Sequence, residues 1–328
     1  MRGFFEGELG EGEVAGGAAV EPFTRDRALL FSTAYRMLGS VADAEDVLQD
    51  AWLKWAAVDR TRVERPTAYL VRTVTNLCLN RLTSARATRE TYVGPWLPEP
   101  LLTGLASPDA AEHAERADSV SMAMLVVLES LSPLERAVFV LHDVFGYGYG
   151  EIAGFLDRTE PAVRQTAHRA RNHVQAGRPR YGTDDVDQAA RRELTERFLA
   201  ASSGGDVNAL MELLAPDVTS WSDGGGKVTA ATRPLRRPDR VARWMLGVLA
   251  KPELADVVVR AAGINGQPGV LFTLGGHPVG ALTFEVTDGL ISELRFQVNP
   301  DKLSGLRGPG NQGDPAATWS PGPGDGKP

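Results

Sequence analysis

Residues 132–175 read SPLERAVFVLHDVFGYGYGEIAGFLDRTEPAVRQTAHRARNHVQ, and this stretch decides the fold of the middle of the chain. It contains three short helices and two tight breaks. Ser132 caps the first helix, Pro133 lies in its first turn, and Glu135 stands three residues beyond the cap. The Gly146–Gly150 string ends that helix. EIAGFLD is a second short helix, Asp157–Arg158–Thr159 a turn, and Pro161 marks the start of a third. A short helix, a tight turn and an arginine-rich helix form a helix-turn-helix, whose second helix enters the DNA major groove.

Spacing supports this reading. Ile152, Ala153 and Leu156 share one side of the short helix, and Val163, Ala167, Ala170 and Val174 recur along one face of the next. Arg164, Gln165, His168, Arg169 and Arg171 fall off that face, where they can reach bases or phosphates. Residues 158–180 hold six Arg and one Glu, a net of +5. A basic helix alone would equally suit the wet face of a bundle; the capped helix and turn before it favour DNA.

Working outward, the net charge of −7 over 328 residues hides strong local asymmetry. The first 22 residues hold five Glu and one Arg, whereas residues 60–90 hold seven Arg and two Glu. In VADAEDVLQDAWLKWA (41–56), Ala44, Val47, Leu48, Ala51, Trp52 and Trp55 occupy one helical arc. Asp43, Asp46, Gln49 and Asp50 occupy the opposite one. Most such acidic arcs are only solvated surface. RPTAYLVRTVTNLCLNRLTSARATRE (65–90) is a basic helix that mixes Tyr69 with Arg72, Arg81, Arg86 and Arg89. Arginine with aromatic side chains suits single-stranded DNA, whose bases stack and whose phosphates pair. Asn76 in this helix is either part of that surface or a helix–helix hydrogen bond.

An acidic helix, a basic helix, a linker and a terminal helix-turn-helix resemble the plan of bacterial extracytoplasmic-function (ECF) sigma factors. DAEDVLQDAWLKW is similar to their region 2.2, AYLVRTVTNLCLNRL to regions 2.3 and 2.4, and LSPLERAVFVLHDVFGYGYGEIAGFL with AVRQTAHRAR to region 4. TYVGPWLPEPL (91–101), DGGGK (223–227) and NPDKL (299–303) resemble the group that carries a SnoaL-like C-terminal extension. The resemblance implies core RNA polymerase as partner, with Asp43, Asp46, Gln49 and Asp50 docking on the clamp helices of its largest subunit. It implies promoter DNA as the second partner. Tyr69, Arg72, Asn76, Arg81 and Arg86 would read the downstream element. Arg164, Gln165, His168 and Arg169 would read the upstream element, with Arg171 as a phosphate contact. It further implies that the extension acts in cis, where a separate anti-sigma factor would otherwise act. The contacts would be Tyr92, Pro95, Trp96, Leu97 and Pro98 in the linker, and Asp223, Gly224, Gly225, Gly226, Lys227, Asn299, Pro300, Asp301, Lys302 and Leu303 in the extension. The bland alternative is that these strings only end strands. Two departures stand out: Asn80 and Thr83 replace the family's usual Asp and Arg, and Gly148 and Gly150 replace a polar helix cap.

The expected layout is a disordered extension at 1–22, sigma region 2 at 23–90, a linker at 91–118 and region 4 at 119–178. A second linker at 179–185, a SnoaL-like domain at 186–302 and a disordered tail at 303–328 follow. Residues 304–328 contain seven Gly and five Pro, which cannot build a core. Helices at 189–203, 206–214 and 237–250 and strands at 217–221 and within 254–298 make the third part an α+β cone with an antiparallel sheet. The fold class is therefore all-α sigma regions followed by an α+β NTF2-like/SnoaL-like domain.

That fold also hosts isomerases and cyclases, so an enzyme tethered to a DNA-binding module is the competing reading. Its candidate pocket groups are Trp221, Asp223, Trp244 and His277. They form no evident acid/base pair, so no catalytic residue is assigned. Metal-ligand spacing is absent and Cys78 is the lone cysteine, which predicts no cofactor, no metal and a buried thiol. An unidentified small-molecule ligand of the SnoaL-like pocket remains open. A conventional repressor or activator is a third reading, disfavoured by the acidic two-tryptophan helix. No apolar run reaches the roughly 20 residues of a membrane span and no signal peptide is evident, so a cytoplasmic protein is expected.

Overall fold

The computed structural model describes residues 12–90, 92–103, 120–177 and 188–307. These fall into two compact units. The first joins residues 1–38, 42–83 and 133–170; the second joins 39–41, 84–132 and 171–328.

The first unit is helical. α1 (Gly12–Leu38), α2 (Val41–Ala57) and α3 (Pro66–Glu90) supply its larger core. Leu30, Tyr35, Val47, Ala51, Trp55, Leu70, Val74 and Cys78 are all buried there. Burial pushes the Cys78 thiol up, so it stays protonated, as its sequence position suggested. α2 buries the arc expected of it: Trp55 is enclosed, and Trp52 meets Phe23 edge-on at 5.3 Å. α1 starts eleven residues earlier than expected. Residues 12–22, expected to be disordered, are helical in spite of Gly16, Gly17 and Pro22, which are poor helix residues; residues 1–11 lie outside the described ones.

Residues 133–170 of this unit carry the helix-turn-helix. After α4 (Met122–Glu129), which clusters with the second unit, come α5 (Pro133–Phe139), a single π-helical turn (Val140–Val144), α6 (Tyr149–Leu156) and α7 (Glu160–Gly177). The glycine cap of α6 is compensated. Gly148 offers no side chain to the N–H groups of the first turn, but its own N–H donates to Glu151 Oε2 at 3.2 Å, the half of a capping box that needs no cap side chain. That N–H, with Arg65 behind it, holds the Glu151 carboxyl below the usual carboxylate range. Asp157 closes α6 in the left-handed conformation (φ 52°), the turn that its position between the two helices predicted. Val163, Ala167, Ala170 and Val174 are all buried on one face of α7.

The second unit is α+β. α8 (Gln188–Ser203), α9 (Val207–Leu213) and α10 (Pro238–Leu249) cover one face of a sheet. Its strands are β1 (Leu102–Thr103), β2 (Leu214–Asp223), β3 (Leu235–Arg236), β4 (Val258–Ile264), β5 (Gln267–Leu274), β6 (His277–Thr287) and β7 (Leu290–Gln297). The order is β1-β4-β5-β6-β7-β2-β3. Phe198, Leu210, Val241, Met245, Leu282, Phe284, Leu294 and Phe296 form the core between sheet and helices. A smaller cluster of Ala262, Ile264, Leu271, Ala281, Leu303 and Leu306, with Leu102 against it, packs separately.

Three expectations change here. The sheet is not wholly antiparallel, because β2 runs parallel to β7, with Trp221 opposite Arg295 and Asp223 opposite Gln297. Residues 92–103 are not a bare linker: they end in a strand that pairs with β4. Residues 303–307, assigned to the tail, fold as a 3-10 turn that buries Leu303 and Leu306, since two leucines there have an apolar cluster to join. The remaining linker and tail positions (104–119, 178–187 and 308–328) lie outside the described residues.

Candidate functional sites: two nucleic-acid and polymerase faces and a buried linker lock

The parallel pair β2–β7 has a direct consequence. Two parallel neighbours send their following loops off the same end of a sheet, so DGGGK after β2 and NPDKL after β7 meet. Their centre is Asp223, which is fully enclosed. Lys302 Nζ lies 2.8 Å from Asp223 Oδ2 and also donates to the Leu97 carbonyl at 2.8 Å. Leu97 N–H donates to Oδ2 at 2.8 Å, and the Tyr92 hydroxyl to Oδ1 at 2.5 Å. Gly225 N–H adds a bond to Oδ1 at 3.1 Å. The Lys302 ammonium sits over the rings of Trp96 (4.0 Å) and Tyr92 (4.7 Å). Asn299 donates to the Tyr92 oxygen at 2.8 Å. Burial, then the adjacent Asp223, push the Tyr92 phenol up, so it remains a proton donor to the carboxylate.

The structure thus gathers Tyr92, Trp96, Leu97, Asp223, Gly225, Asn299 and Lys302 around one buried charge pair. Lys227 and Asp301 form a separate, exposed ion pair at 2.5 Å. Pro300 opens the 3-10 turn that carries Asp301 and Lys302. The glycines are steric requirements. A Cβ on Gly224 would lie 2.8 Å from the Val228 carbonyl oxygen, and one on Gly225 (φ 59°) only 2.3 Å from Asn299 Nδ2. Gly225→Ala is therefore expected to cost about 1–3 kcal/mol from the left-handed backbone alone, with displacement of Asn299 added. Urea unfolding of the full chain measures it.

Sequence reading missed three members of this lock. Gln297 Nε2 donates to the carbonyls of Leu97 and Pro98, both at 3.2 Å, and lies 3.3 Å from Asp223 Oδ2. Asn265 reads as half of an Asn-Gly turn, yet its buried side chain accepts from Leu101 N–H at 3.1 Å. Glu99 reads as an ordinary linker carboxylate, yet it is buried; it accepts from Ser40 Oγ and from Val41 N–H, each at 2.8 Å, at the start of α2. The signal for Glu99 was its company, a lone acid inside PWLPEPLL.

On α2, Asp46, Gln49 and Asp50 are exposed and Asp43 is half-buried. Leu53 was overlooked. It is 60% exposed and lies three and four residues beyond Asp50 and Gln49, so it places an apolar group on the acidic arc. On α3, Arg72 is exposed and Tyr69 half-buried beside Trp55. Arg81 is bound to Asp43 at 3.0 Å and Asp46 at 2.7 Å, so it belongs with the acidic face as much as with the basic one. Asn76 Nδ2 donates to the Phe155 carbonyl at 3.2 Å, the helix–helix alternative. The side chain of Arg86 lies outside the described residues. Thr83, at one departure from the family pattern, bonds back to the Leu79 carbonyl.

On α7, Arg164, Gln165, His168 and Arg169 are exposed and Arg171 is half-buried, which matches their placement off the packed face. Arg164 is ion-paired with Glu160 and lies over the Tyr149 ring. Arg169 reaches Glu135 at 3.4 Å and Thr166 Oγ1 at 3.2 Å. The four enzyme-like candidates do not converge. Asp223 is committed to the linker lock, Trp244 packs edge-on to Phe296 at 5.5 Å, Trp221 pairs with Arg295 across the strands, and His277 begins β6. Among the described residues no His/Cys/Asp/Glu group could hold a metal ion, and no helix is long and apolar enough to cross a membrane.

Residues 23–88 match the sigma-70 region 2 family and residues 121–174 match sigma-70 region 4. With the α+β domain and its linker lock, these matches meet a full-length likeness, and the chain belongs to the extracytoplasmic-function RNA polymerase sigma factors. It is 40% identical over 296 residues to the ECF RNA polymerase sigma factor SigJ of Mycobacterium tuberculosis, covering 87% of this chain and 93% of that protein. It is 32% identical over 283 residues to the probable sigma factor SigI of the same organism, covering 86% and 93%. The crystal structure of M. tuberculosis SigJ superposes with a TM-score of 0.70 at 37% identity, covering 87% of this chain and 98% of that one.

Proposed function

We propose that this sigma factor docks on the clamp helices of the largest subunit of core RNA polymerase through the exposed arc of α2, made of Asp43, Asp46, Gln49 and Asp50 with Leu53 at its end. An apolar centre within a polar rim is common interface anatomy. The exposed side of α3, with Arg72 and Tyr69, faces the downstream promoter element, and α7 reads the upstream element through Arg164, Gln165, His168 and Arg169. Initiation takes place in the cytoplasm, and the chain performs no covalent chemistry of its own.

The C-terminal domain regulates in cis by gripping the linker. The observation that carries this is the enclosed Asp223, whose carboxylate accepts from Tyr92 and Leu97 of the linker and pairs with Lys302. Its two linker donors, Tyr92 and Leu97, lie 131 and 126 residues away in sequence. Reconstituted transcription with core polymerase tests the reading, comparing the full chain with one ending at residue 180. Promoter-dependent transcripts from both, at different levels, are the expected result. Absence of transcripts from both would remove the sigma reading, and equal levels would remove the regulatory one.

A further inference from the structure

Arg164 is not a free arginine on the outer face of α7. Its guanidinium carbon lies 5.0 Å from the centre of the Tyr149 ring, and His142 stacks on the same ring at 4.2 Å with the planes 26° apart. His142 is itself fixed: Nδ1 faces the Tyr147 carbonyl at 2.7 Å, an oxygen that can only accept, so Nδ1 carries the proton. The imidazole belongs to the π-helical turn Val140–Val144, the phenol to the first residue of α6, and the guanidinium to α7. Three planar groups from three successive elements therefore gather around one ring. Glu160, one turn earlier on α7, takes one edge of the guanidinium.

We infer that Tyr149 is the positioning residue for Arg164, holding the guanidinium in one plane so that its free edge reads a guanine in the upstream promoter element. This rests on the assignment of Arg164 as a base reader. Stacking uses the flat face of a guanidinium and none of its N–H groups, which all lie in its plane. Bidentate recognition of guanine O6 and N7 needs two of those in-plane donors at a fixed angle. An exposed arginine ordinarily loses rotamer freedom when it makes such a pair. Here the plane is set before DNA arrives, and the side chain remains 62% exposed. Arg169 makes polar contacts instead, with Glu135 and Thr166.

The test uses holoenzyme assembled from the full chain and core polymerase, presented with double-stranded promoter DNA randomised over the upstream element. Arg164→Ala should remove a guanine preference at one position. Tyr149→Leu should weaken the preference at that same position about fivefold, leave the other positions alone, and be rescued by Tyr149→Phe. His142→Leu, which removes the stacked imidazole together with its bond to the Tyr147 carbonyl, should weaken it less; thermal melts of each variant check folding. If Arg164→Ala removes the guanine preference and Tyr149→Leu and His142→Leu leave it intact, the positioning role is wrong while the reader assignment stands. If Tyr149→Leu flattens all positions equally, Tyr149 is only scaffold and the inference fails. If Arg164→Ala changes no base preference, the reader assignment itself fails.

Discussion

Asp223→Ala is expected to destabilise the second compact unit by about 3–5 kcal/mol, the usual cost of removing one partner of a buried ion pair. Lys302 would keep its two aromatic rings and the Leu97 carbonyl, but its buried charge would lose its counter-ion. Tyr92 and Leu97 would each lose an acceptor in a place closed to water. Asp223→Asn keeps the shape and one acceptor oxygen, so it should cost less. Replacing both charges, Asp223→Asn with Lys302→Met, should recover part of the loss, because no buried charge is left unpaired. Urea unfolding of the parent, Asp223→Asn, Lys302→Met and the double variant, followed by circular dichroism, gives the coupling directly. Independent, additive losses would show that the pair is not the centre of the lock.

Asp46→Arg with Asp50→Arg is expected to weaken binding to core polymerase by about 3 kcal/mol, roughly a hundredfold, by placing like charges against a basic partner surface. Asp50 is exposed and cheap to replace. Asp46 is not quite idle, since it holds Arg81 at 2.7 Å, but the pair is on the surface and such pairs contribute little to folding. The double variant should therefore melt within a few degrees of the parent while losing polymerase. Leu53→Asp separates charge from apolar contact: about a tenfold loss is expected if the leucine is an anchor. Fluorescence titration against core polymerase reads all three, and unchanged affinity in the charge-reversed chain would take this face out of the interface.

Much of the architecture was legible because local rules agreed with the final packing. The alternation of buried and exposed positions in α7 followed directly from the four-three-four spacing of Val163, Ala167, Ala170 and Val174. The acidic arc of α2 was equally clear. What sequence left open shares a cause, which is that a side chain's partner can be distant in sequence. Asn76 was open between a DNA contact and a helix–helix bond, and the Phe155 carbonyl supplies a partner for the second. Arg81 counted as part of a basic helix until Asp43 and Asp46 were seen within reach. The parallel pairing of β2 with β7 cannot be read from alternation, because parallel and antiparallel neighbours share the same period of two. Without it the DGGGK and NPDKL strings had no evident reason to meet. Glycine spacing predicted turns, whereas Gly224 and Gly225 are fixed by the close approach of Val228 and Asn299.

Glu99 ties two histories together. The linker's Leu97 and Pro98 answer to the C-terminal domain through Gln297, Lys302 and Asp223, while Glu99, the next residue, answers to the opening turn of α2. The three residues leave little slack between the two sets of contacts. In a lineage, the extension and the first turn of α2 should therefore accept substitutions jointly. Exchange of the C-terminal domain between relatives should succeed when the linker travels with it and fail when the joint is cut between residues 98 and 99.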